Sequence, residues 1–338
     1  MKRVVVLVAG VSLAAGQIPR IRDFNVYGSR KVPAEKILRS AKLRAGEPLP
    51  PSKGDLEDRL SAISGVVRAR VEAVCCEGPD ALLFVGVEER EGPHVAFHSD
   101  PAGNATLPEG LAATYQQFLS TVQRAAQQQK GSSALPADRH LISDAEARGF
   151  EQQFSAFAAE HLAELRDVLH NGPEPEERAI AAAVIGYATQ KREVVDDLQY
   201  SMQDPDEAVR SNAIRSLHAI AVYAARDRSL GIRIAPTWPI ELLNSIVLSD
   251  RLQATDLLVT LTDTENRVAV DQMRVRALPA LVEMARWETL NYALRPFLLV
   301  GRIAGLSEKE IQDRWSKGER EAVIEKALAP PAGRGRKR

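Results

Sequence analysis

The segment that most restricts this chain is residues 82–87, where Leu82, Leu83, Phe84, Val85 and Val87 run almost without polar interruption. Such a run is that of a strand flanked on both sides, so the rest of the chain has to supply its neighbours. Glu88, Glu89 and Arg90 then return to solvent. The preceding segment alternates instead, with Val67, Ala69, Val71 and Ala73 on one face and Arg68, Arg70 and Glu72 on the other, the period of a half-exposed strand. Gly78, Pro79 and Asp80 supply the turn between the two.

Upstream, Ile21, Phe24 and Val26 form a short strand pattern ended by Gly28. The period then changes. Val32, Ile37, Leu38 and Ala41 share a helical face entered through Pro33, a residue suited to a first turn because its missing donor has no partner there. Leu43, Gly46, Pro48, Leu49 and Pro50 make a connector, and Ser52 caps a second helix that carries Leu56, Leu60 and Ile63 and stops at Gly65. The order is β-α-α-β-β.

That order resembles a POTRA domain, the polypeptide-transport-associated module. The resemblance is carried by Ile21, Phe24, Val26, Gly28 and Val32, by the Leu43-x-x-Gly46-x-x-Leu49 connector, by Gly65-Val66, and by the closing Val85-x-Val87-Glu88. It implies a three-stranded sheet with two helices on one face and a second strand whose edge can add a partner strand. Val67, Arg68, Ala69, Arg70 and Val71 are the candidate partner-binding residues of that edge. Two readings of Arg68 and Arg70 stay open, charges that blunt a bare edge or contacts for an acidic ligand.

With 338 residues the chain has length for two folding units, and aromatics at 5% beside abundant alanine favour close-packed helices for the second. Helix pairs succeed one another from about residue 160. The segment from Asp204 through Arg210 leads into Ala213, Ile214 and Leu217, and thirty-two residues earlier Pro175, Glu176, Glu177 and Arg178 lead into Ala181 and Val184. A poorer copy begins at Asp250 and Arg251 and leads into Leu257 and Leu258. Proline and acids favour a helix's first turn, and an arginine there can reach acids of the adjoining turn. These segments resemble HEAT-like repeats, most clearly over 204–224 and more loosely over 160–328. Arg178 and Arg210 join the candidate partner-binding residues.

The fold class expected is therefore α+β, an N-terminal POTRA-like β-α-α-β-β module over 18–91 followed by an all-α HEAT-like solenoid over 160–328. Residues 92–159 read as a linker with helices that dock onto either neighbour, broken by a polar tract over 127–133. Trp238, Pro239 and Trp287 read as packing anchors.

Lys2 and Arg3, the apolar run over 4–13 and the small residues Ala14, Ala15 and Gly16 have the layout of a secretory signal peptide, with cleavage expected after Gly16. A buried N-terminal strand is the other reading of the same run. Export directs the localisation expected, periplasm or cell envelope. Cys75 and Cys76 are adjacent and neighbours in a strand point to opposite faces, so an ordinary intrachain disulfide between them is geometrically poor and at least one reads as small buried filler; a vicinal redox pair or an intermolecular bridge is the other reading. The tail over 329–338, with Arg334, Arg336, Lys337 and Arg338, reads as a disordered basic end capable of peripheral envelope contact.

No catalytic residue, cofactor or metal ligand is singled out. His94 and His98 are four apart but in an extended segment, and His161 and His170 read as solvated surface histidines. No phosphate-binding glycine loop or nucleophile elbow occurs in the sequence. The net charge of −1 says nothing about partners. The function expected is an exported, non-enzymatic scaffold for proteins or extended peptides, with no nucleic acid, in envelope protein assembly or transport. The alternative is a HEAT-like enzyme or accessory factor of the phycobilin-lyase type, which such repeats also resemble.

Overall fold

The computed structural model of the chain describes residues 18–77, 80–127, 144–263 and 266–330, and of 75–77 the backbone alone. The expected signal segment, the side chains of Cys75 and Cys76, the turn at Gly78 and Pro79, the polar tract after Gln127 and the four basic tail residues lie outside the described residues. The chain divides into two compact units, one of them discontinuous: Pro19–Phe97 folds with the segment that begins at Ile234, and His98–Arg233 forms the other. The helices after 233 pack on the sheet, and those between 98 and 159 pack with the repeats.

In the discontinuous unit the elements are β1 (Arg20–Tyr27), α1 (Ala34–Ala41), α2 (Lys53–Ser61), β2 (Val66–Glu77) and β3 (Asp80–Glu89). The strand order is β1-β3-β2, with β1 parallel and β2 antiparallel to the central strand. One face of the sheet, with Ile21, Ala69, Val71, Leu83, Val85 and Val87, closes on Ile37, Leu56 and Leu60 of the two helices. Ser52 caps α2 by accepting from the Asp55 N–H at 3.1 Å. The pairing of β2 shifts register between Val66 and Arg68, which turns Val67 outward at 52% exposure and leaves Val66 as the buried residue. Ala73 is exposed as well, so the expected apolar face of this strand is shorter than its alternation.

The opposite face carries Asn25, Tyr27, Phe84 and Gly86, and it is met by the C-terminal segment, which forms α9 (Thr237–Leu242), α10 (Leu248–Thr262), α11 (Arg267–Arg276), α12 (Leu278–Ala285), α13 (Leu290–Ile303), α14 (Glu308–Ser316) and α15 (Arg320–Leu328); the contacts come from Ile246, from Arg251 of α10, and from Trp287, Thr289 and Tyr292 around the start of α13. The Phe84 ring meets Trp287 at 5.1 Å and Tyr292 at 5.2 Å, both edge-on. Such pairs are worth about 0.5–1.5 kcal/mol each beyond the area they bury. The Tyr27 hydroxyl donates to the Ile246 carbonyl at 2.8 Å, and its ring lies so close over Gly86 that a Cβ there would sit 2.6 Å away. Trp287 is thus a packing anchor, and residues 81–87 are buried throughout.

Five successive backbone donors lock the turn from β1 into α1. Gly28 and Ser29 donate to the Glu283 carboxylate at 2.8 and 3.1 Å. Arg30, Lys31 and Val32 donate to that of Glu89 at 2.9, 2.9 and 2.8 Å. Gly28 has φ +80°, and a Cβ at that position would lie 2.1 Å from the Val87 carbonyl oxygen. Glu283 also pairs with the buried Arg251 at 3.3 Å, and the Arg251 guanidinium lies 4.7 Å from the centre of the Tyr27 ring. Burial pushes the Glu283 carboxyl up against the pull of Arg251 and the two N–H donors, and it pushes the Tyr27 hydroxyl up as well.

The helical unit contains α3 (Leu111–Gln127), α4 (Ala145–Glu160), α5 (Leu162–Asn171), α6 (Pro175–Ile185), α7 (Lys191–Ser201) and α8 (Glu207–Arg226). The pairs α5/α6 and α7/α8 stack with α6 against α8, while α3 and α4 close on α6 from the other side. Aromatic residues concentrate at that closure, where Phe154 contacts Tyr115, Phe118 and Tyr187 at ring distances of 5.9, 5.2 and 5.6 Å.

Replacing Glu283 with alanine strands Arg251 and two backbone donors. The expected loss is about 3 kcal/mol of unfolding free energy in denaturant titrations. Glu283→Gln, which keeps acceptor oxygen, should lose less than Glu283→Ala.

Candidate interaction surfaces

The repeat arginines form one recurring clamp. Arg178 Nη1 donates to the carbonyls of Gly172 and Pro173, six and five residues back, at 2.9 and 3.1 Å. Arg210 Nη1 does the same to Asp204 and Pro205 at 2.8 and 2.9 Å. Arg251 Nε repeats the six-residue step to Ser245 at 2.5 Å. In each case the side chain, from the first turn of the second helix, holds carbonyls of the turn just past the end of the first helix, which would otherwise lack partners. Arg178 further grips the Asp204 carboxylate through Nε and Nη2 at 2.8 and 3.0 Å, which fastens one helix pair to the next.

These arginines are inside the protein. Arg178 is 0% and Arg210 1% exposed, so the expectation that they contribute to a partner surface gives way to a structural role. All their visible donors point at turns of their own chain.

The edge of β2 also differs from the bare edge expected. The outward N–H groups of Ala69 and Val71 donate to Ser61 Oγ at 2.9 Å and Glu57 Oε1 at 2.7 Å, both on α2. A partner strand would have to displace those side chains. Both residues are buried, whereas Val67 is exposed. Arg68 Nη2 pairs with Glu88 at 3.0 Å and Arg70 Nε with Glu72 at 2.8 Å, so each guanidinium has an acid on the same sheet. Glu72 in turn accepts from the Leu248 N–H at the start of α10, at 3.3 Å, where a negative charge suits the helix end. Of the five edge residues, only Val67 and Arg68 present exposed side chains.

The exposed surface of the repeats lies on α5 and α7. Glu164, Arg166 and Asp167 on the first, and Arg192, Glu193 and Asp196 on the second, are all solvent-facing. Between them sits a cluster that composition and spacing do not reveal. Asp197, almost buried, pairs with Arg166 Nε at 2.8 Å and with His170 Nε2 at 2.9 Å. The Tyr200 ring lies 4.2 Å from that of His170 and 4.3 Å from that of His98. His170 is therefore a partnered residue rather than the solvated histidine expected. The signal was an arginine and a histidine four apart on one helix, but their acid lies 27 residues beyond the histidine.

Among the described residues, no group of three or more His, Cys, Asp or Glu side chains could hold a metal ion, and no helix is long and apolar enough to cross a membrane.

This geometry is that of a helical-repeat segment, and a family model agrees over part of the chain. The family described as HEAT repeats matches residues 162–229, the α5 to α8 stack and its immediate continuation. A crystal structure of computationally designed armadillo repeat proteins for modular peptide recognition is similar at 16% identity, covering 64% of this chain and 91% of that one with a TM-score of 0.35. No protein with a curated description matches the chain.

His94 supplies a test of the local electrostatics. Its Nδ1 lies 2.7 Å from Glu88 Oε1, and this hydrogen bond raises its pKa. The stability it contributes is full below the unfolded-state value of about 6.5 and is lost as pH rises through the higher folded value. Glu88→Gln should lower the His94 titration midpoint followed by NMR.

Proposed function

We propose that this chain is an exported, non-enzymatic scaffold that presents the outer faces of α5 and α7 to protein or extended-peptide partners, in envelope protein assembly or transport. The observation that carries the reading is the repeated arginine clamp. It holds successive helix pairs through their turns, while the outer faces of α5 and α7 present exposed charged side chains. The HEAT-repeat match over 162–229 supports the same class, and extension of the repeats to 328 belongs to the proposal. No observation favours the lyase alternative.

A photo-crosslinking residue at Glu193 or Asp196 should give discrete protein adducts in an envelope extract, whereas the same residue at Lys309 on α14 should not. Equal or absent adducts at all three positions would contradict the reading.

Export rests on the layout of residues 1–16, and the POTRA-like resemblance of 18–91 is the support for an envelope role. The mature protein should begin at Gln17 when its N-terminus is sequenced from the periplasmic fraction. A chain that begins at Met1 and stays in the cytosol would contradict export. Peripheral contact through Arg334, Arg336, Lys337 and Arg338 is part of the same proposal.

A further inference from the structure

Residues 98–107 are neither helix nor strand, yet they are seated along the helical unit like a bound peptide. The His98 N–H donates to the Gln203 carbonyl at 2.7 Å, and its ring stacks on Tyr200. Asp100 Oδ1 comes to 3.9 Å from Arg178 Nη2. Gly103 passes so close to the turn after α5 that a Cβ would lie 2.4 Å from the Asn171 carbonyl oxygen. A Cβ on Gly172 would in turn lie 3.3 Å from the Ala105 carbonyl oxygen. The Leu107 N–H donates to Glu177 Oε2 at 3.0 Å, and Pro108 is buried beyond it.

The segment therefore crosses the turns of two successive helix pairs, the same turns whose carbonyls Arg178 and Arg210 hold from within. A ridge fixed in this way is pre-organised, and an extended chain laid across it loses little by finding the ridge already shaped.

We propose that this ridge is a seat for an extended peptide, and that residues 98–108 are the occupant supplied by the chain itself. The partner it fits is an extended segment with a flat ring first, a carboxylate two residues on and a glycine three residues further. This deepens the scaffold reading and rests on it. The tethered segment acts at an effective concentration of roughly millimolar, so a free peptide is excluded until the segment lifts.

The test uses the full chain and a fluorescently labelled peptide of residues 98–108, followed by anisotropy. Gly103→Val cannot be seated without moving the Asn171 backbone, so that variant should bind the peptide at least about tenfold more tightly than the natural chain. A labelled peptide that itself carries the valine should not bind, and adding Tyr200→Ala to the Gly103→Val chain should weaken binding of the natural peptide. Should Gly103→Val fail to fold by circular dichroism, His98→Ala, which removes only the stacking ring, should show the same ordering with a smaller gain. Equal affinity for the natural and opened chains, or equal binding of the valine peptide, would overturn the proposal. A concentration-dependent dimer in place of peptide binding would overturn the choice of partner in favour of a second copy. Crosslinks at Glu193 and Asp196 that persist while the peptide fails to bind would leave the scaffold reading standing and remove the ridge alone.

Discussion

Arg251 is buried, and its guanidinium meets three groups at once: the Ser245 carbonyl of its own helix turn, the Glu283 carboxylate of α12, and the face of the Tyr27 ring on the sheet. Burial lowers its pKa, and Glu283 opposes that shift. A buried pair of this kind is not retained for its net energy, because the desolvation of two charges consumes most of the attraction. Its importance lies in what depends on it. Glu283 holds the N–H groups of Gly28 and Ser29, and with Glu89 it fixes the turn that sets α1 against one face of the sheet. The same side chains bring the C-terminal helices onto the other face. The apolar strand of residues 82–87 is covered on both faces because this joint exists.

Arginine recurs throughout as the residue that satisfies carbonyls at helix ends. Arg178, Arg210 and Arg251 hold the turns between paired helices. Arg302 donates to Val259 at the end of α10 at 2.6 Å, Arg320 donates to Ala285 at the end of α12 and Trp287 just past it at 3.1 and 2.8 Å, and Arg274 reaches the ends of α13 and α15. A planar group with five donors suits this task, since it can take two carbonyls and a carboxylate together. An alanine-rich chain with few aromatics gains its definition from these polar ties as much as from its core.

Much of this was legible in the residues. The β-α-α-β-β order, the Ser52 cap, the central place of residues 82–87 and the arginine spacing all follow from local patterns, because turns, caps and periodicity are short-range properties. Arg251 was visible as a poorer copy of the repeat. Its departure from the pattern coincides with its second task, contact with a sheet more than two hundred residues away in sequence. What stayed hidden was long-range. No local signal links Glu283 to Gly28, or Asp197 to His170, and the covering of the β2 edge depends on Glu57 and Ser61 happening to face it. The arginines of the repeat looked like surface charge because sequence does not report burial, and a charged residue at a helix start fits either place.

The central claim is that the sheet and the C-terminal helices are one cooperative unit closed at Arg251 and Glu283. Native-state hydrogen exchange tests it most directly, through the amides of Asn25, Val85 and Val87 in the sheet and of Leu281, Leu299 and Val300 in α12 and α13. The account predicts that both sets open in a single step, with the same free energy and the same dependence on denaturant. A sheet that keeps its protection under conditions where α12 and α13 exchange freely would contradict it.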